Sequence, residues 1–494
     1  MRQYINVYPS GAAHIGTQMF CREVIDGVKH DFVEKYESSL FVKSPQGDWR
    51  SIEGTPLKQI SFESRSEVRD FIEKYQSVTG FEIHGEIGTE YQFIRENYDG
   101  QYKVSDVDVA YFDIETTAEN GFPSFENPIE EILAITITRR GQKPYVFCRG
   151  EYKAQADEVV FSHPDEREVL LAFLKYFSSD YPHVLTGWNI RFFDIPYLYN
   201  RMLVVLGKNK TKDLSPWGII RDKTVADKNG KDKTVYDIIG ISTLDYYELY
   251  QKFTYVNRES YRLDYIAYVE LGERKISYSE YESIQEFYTN DFQKFIEYNI
   301  QDVRLVERLE DRLKLIELAL ALAYSAGVNF TDVFSQVKTW DVIIYNHLAK
   351  NKIAIPPKGK ASKDEQYAGA YVKDPIVGMH KWIVSFDLNS LYPHLIMQYN
   401  ISPETITDDG MRGVVSPAGI LSNGEVSMNS IKMFTDKNLS VAANGTTFVK
   451  DRRGFLPELM DKMYQDRKMF KHKMIECQKE LEKVVAVMKS RGIL

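Results

Sequence analysis

The stretch that most constrains this chain is Val107-Asp108-Val109-Ala110-Tyr111-Phe112-Asp113-Ile114-Glu115-Thr116-Thr117, an apolar run ending on two carboxylates. Read as a strand, period-two alternation puts Asp113 and Glu115 on one face and turns Phe112 and Ile114 to the other. Two anions held that close resist ionisation unless something positive lies between them, so the pair points to a divalent-cation site at a strand end. With 71 acidic residues in 494, such triplets also arise by chance, and the pair needs partners elsewhere.

Two later segments offer them. Val184 to Leu198 reads as a short strand, a turn and a helix, with Asp194 just before Ile195-Pro196, where proline suits the first helical turn. The structural role open to Asp194 is an N-cap. Further on, a long helix carries Phe295 to Val303, and Tyr298 and Asp302, four apart, share one face. A tyrosine on the face of an isolated carboxylate can orient a water beside a metal; the alternative is a core tyrosine and an exposed aspartate. Together Asp113, Glu115, Asp194 and Asp302 could hold two divalent cations roughly 3.5–4 Å apart and stabilise an in-line phosphoryl transition state. That chemistry is phosphodiester hydrolysis.

The surrounding sequence suggests α/β layers. Ile132 to Thr138 and Tyr145 to Cys148 read as neighbours of the first strand. Ser64/Glu67 and Asp165/Glu168 have capping-box spacing before amphipathic helices. Residues 221–236 read as a projecting hairpin, with Asn229-Gly230 favouring a two-residue type I′ turn. Pro356 to Lys360 reads as a linker. Beyond it, Ile383 to Pro393 repeats the opening pattern, an apolar strand delivering Asp387 to a turn, and a Lys/Arg/Met-rich helix from about Gly454 puts Arg467 and Lys471 on one face.

A hydrophobic share of 43% and a charged share of 27% describe an ordinary globular protein, and the net charge of −9 argues against nonspecific coating of nucleic acid while allowing a local basic groove. Cys21, Cys148 and Cys477 have neither disulfide-framework nor zinc-site spacing. The amino terminus has no apolar signal core and no run approaches membrane-spanning length, so no membrane association and a reducing cytoplasm are expected.

The motifs Phe112-Asp113-Ile114-Glu115, Thr186-Gly187-Trp188-Asn189 through Asp194, and Tyr298-Asn299-Ile300-Gln301-Asp302 resemble the three exonuclease motifs of family B DNA polymerases. Asp387-Leu388-Asn389-Ser390-Leu391-Tyr392-Pro393 resembles that family's first polymerase motif, and details such as Lys338-Thr339-Trp340-Asp341 are most similar to the replicative polymerases of T-even-like phages. The resemblance implies an α/β and α+β multidomain chain: an amino-terminal domain (1–103, with 315–357 packing back on it), an RNase H-like 3′-5′ exonuclease domain (104–314), a partial palm (358–453) and a first fingers helix (454–494). It implies that Asp113, Glu115 and Asp302 ligate the water-activating metal, that Asp113 and Asp194 hold the second, and that Tyr298 orients the water. The metals would be two Mg2+, with Mn2+ as a substitute. Asn229 and Gly230 would help separate the primer strand, and Tyr367 and Gly369 would contact template DNA. In the palm, Asp387 and the Leu388 carbonyl would bind metal, while Ser390, Leu391 and Tyr392 with Arg467 and Lys471 would bind the incoming deoxynucleoside triphosphate.

The second fingers helix, the Asp-Thr-Asp hairpin, the thumb and the clamp-binding peptide of the family do not occur in this sequence. The expectation is therefore the amino-terminal half of a split polymerase: an exonuclease on single-stranded DNA that also binds primer-template DNA and gains polymerase activity, and a sliding clamp, only through a carboxy-terminal polypeptide. If phage-encoded, it would work in the host cytoplasm. The alternatives are a DNA- or RNA-binding or regulatory module inactive until joined by that partner, and a stand-alone RNase H-like nuclease. The latter leaves Asp387 and the Arg467/Lys471 helix without a purpose.

Overall fold

A six-stranded mixed sheet organises the first of two units in the computed structural model, in the order β11-β10-β9-β8-β12-β15. Its strands are β8 (Val109–Thr116), β9 (Ile132–Arg139), β10 (Tyr145–Arg149), β11 (Val159–His163), β12 (Val184–Thr186) and β15 (Ser242–Thr243). The structure describes residues 1–11, 14–226, 230, 232–359, 372–407, 432, 436–442 and 444–492. Chain contacts divide these into one unit of residues 1–40, 60–81 and 86–346, and another of 41–59, 82–85 and 347–494.

The three expected strands are adjacent: β9 pairs antiparallel with both β8 and β10. Strand β8 is central, and its Phe112 and Ile114 enter a core with Ile135 and Ile137 of β9 and Phe173 and Phe177 of α3 (Glu166–Ser179). Helix α4 (Asp194–Val205) covers the same face through Ile195 and Leu198. The opposite face meets α9 (Phe292–Leu313), whose Phe295, Ile296 and Ile300 pack with Leu133 and Ala134 of β9. Helices on both faces of a largely buried sheet account for the apolar β8 and β9 sequences. The fold class is thus multidomain α/β.

Ahead of this sheet lie β1 (Arg2–Ser10), β2 (Gln18–Ile25) and β3 (Val28–Lys35), paired as an antiparallel meander. A four-stranded sheet has the order β5-β6-β4-β7, with β4 (Ser38–Lys43), β5 (Trp49–Arg50), β6 (Pro56–Phe62) and β7 (Ile83–His84). Helices α1 (Arg65–Tyr75) and α2 (Thr89–Asn97) follow; Ser64 caps α1 by accepting from the Glu67 amide at 3.2 Å, and Asp165 caps α3 in the same way at 3.0 Å. Four helices sit between the α4 segment and α9: α5 (Lys208–Thr211), α6 (Tyr246–Phe253), α7 (Leu263–Leu271) and α8 (Ile284–Asn290). Then come α10 (Leu315–Ala326) and α11 (Gln336–Ala349), and Leu315 to Ala326 share a core with Tyr4, Ile5 and Val7 of β1.

The hairpin is present as β13 (Ile220–Ala226) with β14 (Asp232–Ile238), but its register differs from the expected one. Ala226 faces Asp232 and Thr224 faces Thr234, so an odd number of residues joins the strands, whereas a two-residue Asn229-Gly230 turn requires an even number. Gly230 has φ 74°, the left-handed backbone used to close odd-length hairpin loops. Asn229 lies outside the described residues.

In the second unit, α12 (Leu391–Tyr399) packs against the 36-residue α13 (Phe455–Ser490), beside a small sheet of β16 (Ile406–Thr407), β18 (Thr447–Val449) and β17 (Leu439–Val441). The strand expected before Asp387 does not form: residues 372–388 have no regular structure. A strand needs a neighbour to satisfy its backbone, and no described strand pairs with this segment. No helix among the described residues is long and apolar enough to cross a membrane.

Candidate active site

Asp113 and Glu115 leave the same face of β8, both partly exposed between buried neighbours. Asp302 comes from α9, and ligand oxygens of these three carboxylates lie within 4.8 Å of one another, the one such acidic group among the described residues. Each is placed by local sequence. Helix α9 starts on Asp291, which accepts from the Lys294 amide at 3.0 Å, and presents Asn299 and Asp302 one turn apart toward β8. Gly187 lets β12 run close to β8: a Cβ there would stand 2.3 Å from the Phe112 carbonyl oxygen.

Asp194 is not the N-cap that its position suggested. It is the first residue of α4, Phe193 occupies the cap position without a side-chain bond, and the Asp194 carboxylate instead accepts from the backbone amide of Ile114 at 3.1 Å. That bond ties the start of α4 to the residue between Asp113 and Glu115.

Asn299 donates from Nδ2 to Asp113 Oδ2 at 2.6 Å and accepts at Oδ1 from the Thr136 hydroxyl. Thr136 stands opposite Asp113 on β9, so the relay fixes the carboxylate plane from the neighbouring strand. Lys275 Nζ meets Asp302 at 2.5 Å and lies 4.5 Å from the centre of the Tyr298 ring. Buried Asp245 accepts from the amides of Asn189, Arg191 and Tyr247 at 2.9–3.0 Å and holds the turn that precedes Asp194.

Burial, reinforced by Asp194, Asp302 and Glu115, pushes Asp113 well above the usual carboxylate range. Burial and the charge of Asp302 push Glu115 up to about 8. Asp194 is pushed up to about 7 by burial, against the Ile114 amide, and Asp302 only to about 6 because Lys275 opposes its burial. Burial lowers the Lys275 pKa, but Asp302 and Tyr298 outweigh it and raise the value overall. Burial and Asp302 likewise keep the Tyr298 phenol protonated.

This donor set fits a divalent cation. Four crowded carboxylates cannot all ionise against so little positive charge, and the buried Oδ1 of Asp302 has no hydrogen-bond partner. The cluster opens into a cavity of about 620 Å3 lined by Phe122, Phe192, Phe193, Trp188 and Lys233, a polar end with apolar walls.

Nothing in the sequence singles out Lys275 or Asp245, and Asn299 and Thr136 stand in recognised segments without a role. Lys275 belongs to a segment without regular structure, where no periodicity marks it. Asn299 adjoins Tyr298 in a motif already singled out, and pairing β8 with β9 was enough to place a residue such as Thr136 beside Asp113.

The second group of expected residues is not gathered in this way. Asp387 and Leu388 lie on the irregular segment, and Leu388 and Tyr392 are each 70% exposed. Ser390, in left-handed backbone with φ 51°, precedes α12, of which Leu391 is the first residue. Arg467 donates to the Ser390 hydroxyl at 3.0 Å, which brings two of the expected nucleotide-binding residues together. Lys471 lies one turn further along α13, exposed. Tyr367 and Gly369 lie outside the described residues.

An acidic cluster on the central strand of an RNase H-like sheet defines a nuclease-type domain. Residues 75–266 match the exonuclease domain of DNA polymerase family B, and residues 330–490 match DNA polymerase family B itself. The chain is 32% identical over 501 residues to the DNA-directed DNA polymerase of Escherichia phage RB69, covering 95% of this chain and 54% of that protein. It is 31% identical over 477 residues to that of Enterobacteria phage T4, covering 90% and 51%. The DNA polymerase delta catalytic subunit of Schizosaccharomyces pombe is 26% identical over 396 residues, 76% of this chain and 34% of that one. The chain belongs to family B of the DNA polymerases and carries the family's exonuclease domain. It spans about half the length of the phage relatives it matches. An exonuclease domain of this family implies divalent-metal use.

Proposed function

We propose that this chain removes nucleotides from the 3′ end of single-stranded DNA as a two-metal proofreading exonuclease, with Mg2+ as its metal and Mn2+ as a substitute. The observation that carries the reading is the approach of Asp113, Glu115 and Asp302 to within 4.8 Å, with Asp194 bonded beside them. Asp113, Glu115 and Asp302 would hold one cation, and Asp113 with Asp194 the other. Bound there, the cations supply an activated water and charge stabilisation for in-line displacement. Lys275 keeps Asp302 ionised, and Asn299 fixes the rotation of Asp113 by its bond to Oδ2. Tyr298, protonated and on the same helical face as Asp302, orients the attacking water. The aromatic walls receive the terminal base, and Lys233 faces the strand's phosphates. The hairpin around Asn229 and Gly230 assists strand separation.

The same reading gives the second unit a share of nucleotide polymerisation on primer-template DNA. Asp387 and the Leu388 carbonyl would bind metal, and Ser390, Leu391, Tyr392, Arg467 and Lys471 would bind the deoxynucleoside triphosphate, with Tyr367 and Gly369 on the template. Exposure of Asp387 implies that incorporation requires a further polypeptide corresponding to the remaining length of the relatives, joined to this sequence or carried on a second chain, which would also bring the sliding clamp. The alternative of a nucleic-acid-binding or regulatory module draws on the apolar surface of residues 376–392, where Trp382 is 97% exposed.

Degradation of 3′-labelled single-stranded DNA with Mg2+ separates the two. The unaltered chain is expected to shorten the strand, and Asp113→Ala/Glu115→Ala to lose at least about a thousandfold in rate. Equal degradation by both would show that the cluster is not the active site; none by either would favour the binding module.

A further inference from the structure

We propose that a cavity of about 250 Å3 at the base of the β13/β14 hairpin is a binding site for a single nucleotide, held by its phosphate, separate from the carboxylate cluster. None of its lining residues lines the cavity at Asp113. The argument starts from which of its charges are already answered. Asp237 is paired with Lys223 at 2.6 Å, and Asp332 with Lys338 at 2.9 Å and with the Tyr91 hydroxyl at 3.0 Å. Both guanidiniums lack such partners: Arg221 lies over the Tyr8 ring at 5.1 Å and Arg65 makes one long bond, 3.4 Å, to the Pro9 carbonyl, and neither joins an ion pair among the described residues. Two guanidiniums lining a half-open cavity with donors to spare suit a phosphate, which accepts from planar N–H forks.

The neutral groups point to more than a bare anion. Thr243 is 8% exposed and its buried hydroxyl has no hydrogen-bond partner; the buried hydroxyl of Tyr8 has none either. Orphaned hydroxyls are costly unless a ligand or water meets them. Glu90 adds a carboxyl to the same lining. Hydroxyls and a carboxyl beside two guanidiniums match the sugar and base edges of one nucleotide, and the volume admits a single monomer rather than a helix.

The choice of a nucleotide over other phosphates rests on the nuclease reading, since nucleoside monophosphates are that reaction's products. The ligand has two sources, a released monophosphate or one unit of the bound strand. Arg221 and Asp237 belong to the hairpin strands, so occupancy would also brace the hairpin's base.

The test is calorimetric titration in EDTA of the full chain carrying Asp113→Ala/Glu115→Ala, which silences the carboxylate site. One equivalent of deoxynucleoside monophosphate is expected to bind, with inorganic phosphate and the deoxynucleoside each at least about tenfold weaker. Arg65→Gln/Arg221→Gln should weaken binding by about a hundredfold, roughly tenfold for each charged hydrogen-bonding group. If that variant fails to fold by circular dichroism, Arg221→Lys and Thr243→Val give the reading, each with a loss of several-fold. Displacement by a short oligothymidylate would assign the site to the strand; binding without displacement would assign it to the released product. No binding at about millimolar monophosphate, affinity unchanged in the variants, or inorganic phosphate binding equally well would overturn the proposal. Because the background variant has no exonuclease site, a failed nuclease reading and a failed nucleotide site give different results.

Discussion

Asp113 and Asp387 sit in similar sequences, Val-Ala-Tyr-Phe-Asp and Ile-Val-Ser-Phe-Asp, yet the structure treats them in opposite ways. Asp113 is on the central strand of six, flanked by β9 and β12, with its oxygen held by Asn299. Asp387 follows Phe386, which is 90% exposed, on a segment with no strand at all. The difference teaches that an apolar run delivers a carboxylate only if neighbouring strands take up its backbone hydrogen bonds and a helix covers its other face.

The sharpest way to break the first half of that comparison is to separate β12 from β8. Gly187→Ala puts a Cβ 2.3 Å from the Phe112 carbonyl oxygen and 2.5 Å from Ile190 Cγ2, and a backbone oxygen inside a sheet has little room to yield. We expect a loss of about 3 kcal/mol, the upper end for overpacking, measured by urea denaturation, together with loss of exonuclease activity. A variant as stable as the parent would mean that the close approach of the two strands is not what positions Asp113.

Lys275→Met asks less of the fold and more of the chemistry. It removes the cation 2.5 Å from Asp302 and leaves that carboxylate among like charges. The exonuclease rate should fall by about ten- to a hundredfold, as for other groups that support metal ligands. Lys275 lowers the Asp302 pKa, so its removal should also move the acidic limb of the pH–rate profile to higher pH. A lower rate with an unmoved limb would assign Lys275 to substrate contact instead.

What was legible in the sequence followed from short-range rules. Alternation put Asp113 and Glu115 on one face, helical spacing put Tyr298 with Asp302, and the caps at Ser64 and Asp165 marked where α1 and α3 begin. What was not legible depended on partners distant in sequence. A cap stayed open to Asp194 beside its role as a ligand because nothing local shows that the Ile114 amide, eighty residues earlier, is near it. Lys275 came from an irregular loop, and the strand before Asp387 failed because a run of apolar residues does not carry its own neighbour. The hairpin was recognisable but its register was not, since Asn-Gly states a preference and the cross-strand pairs decide.

Carboxylates lifted by crowding make metal-free stability depend on pH. Asp302, Asp194 and Glu115 have folded values of about 6, 7 and 8, above the ordinary values of 3.8 to 4.5. The folded state therefore holds more protons than the unfolded state between about pH 4 and 8, and stability is lost as pH rises through that window. Thermal midpoints in EDTA should fall from pH 5 to 8, and Mg2+ should restore most of the loss at pH 8 by supplying the positive charge that protons had supplied. A flat EDTA profile would show that the four groups are not crowded as the geometry has them.

The smallest expected effect belongs to the other half of the comparison. Asp387→Asn alters a side chain on a segment whose neighbours face solvent, with no strand pairing and no acidic cluster around it among the described residues. Surface changes away from caps, cores and ion pairs stay within about 0.5 kcal/mol, so stability should not move, and the exonuclease rate should stay within about twofold of the parent. Arg467→Ala removes one exposed bond to Ser390 and should do little more. If Asp387→Asn instead lowered stability or exonuclease activity clearly, the segment would have to be held in solution by contacts that its exposure does not provide. The contrast between a carboxylate fixed by its sheet and one awaiting its neighbours would then fail.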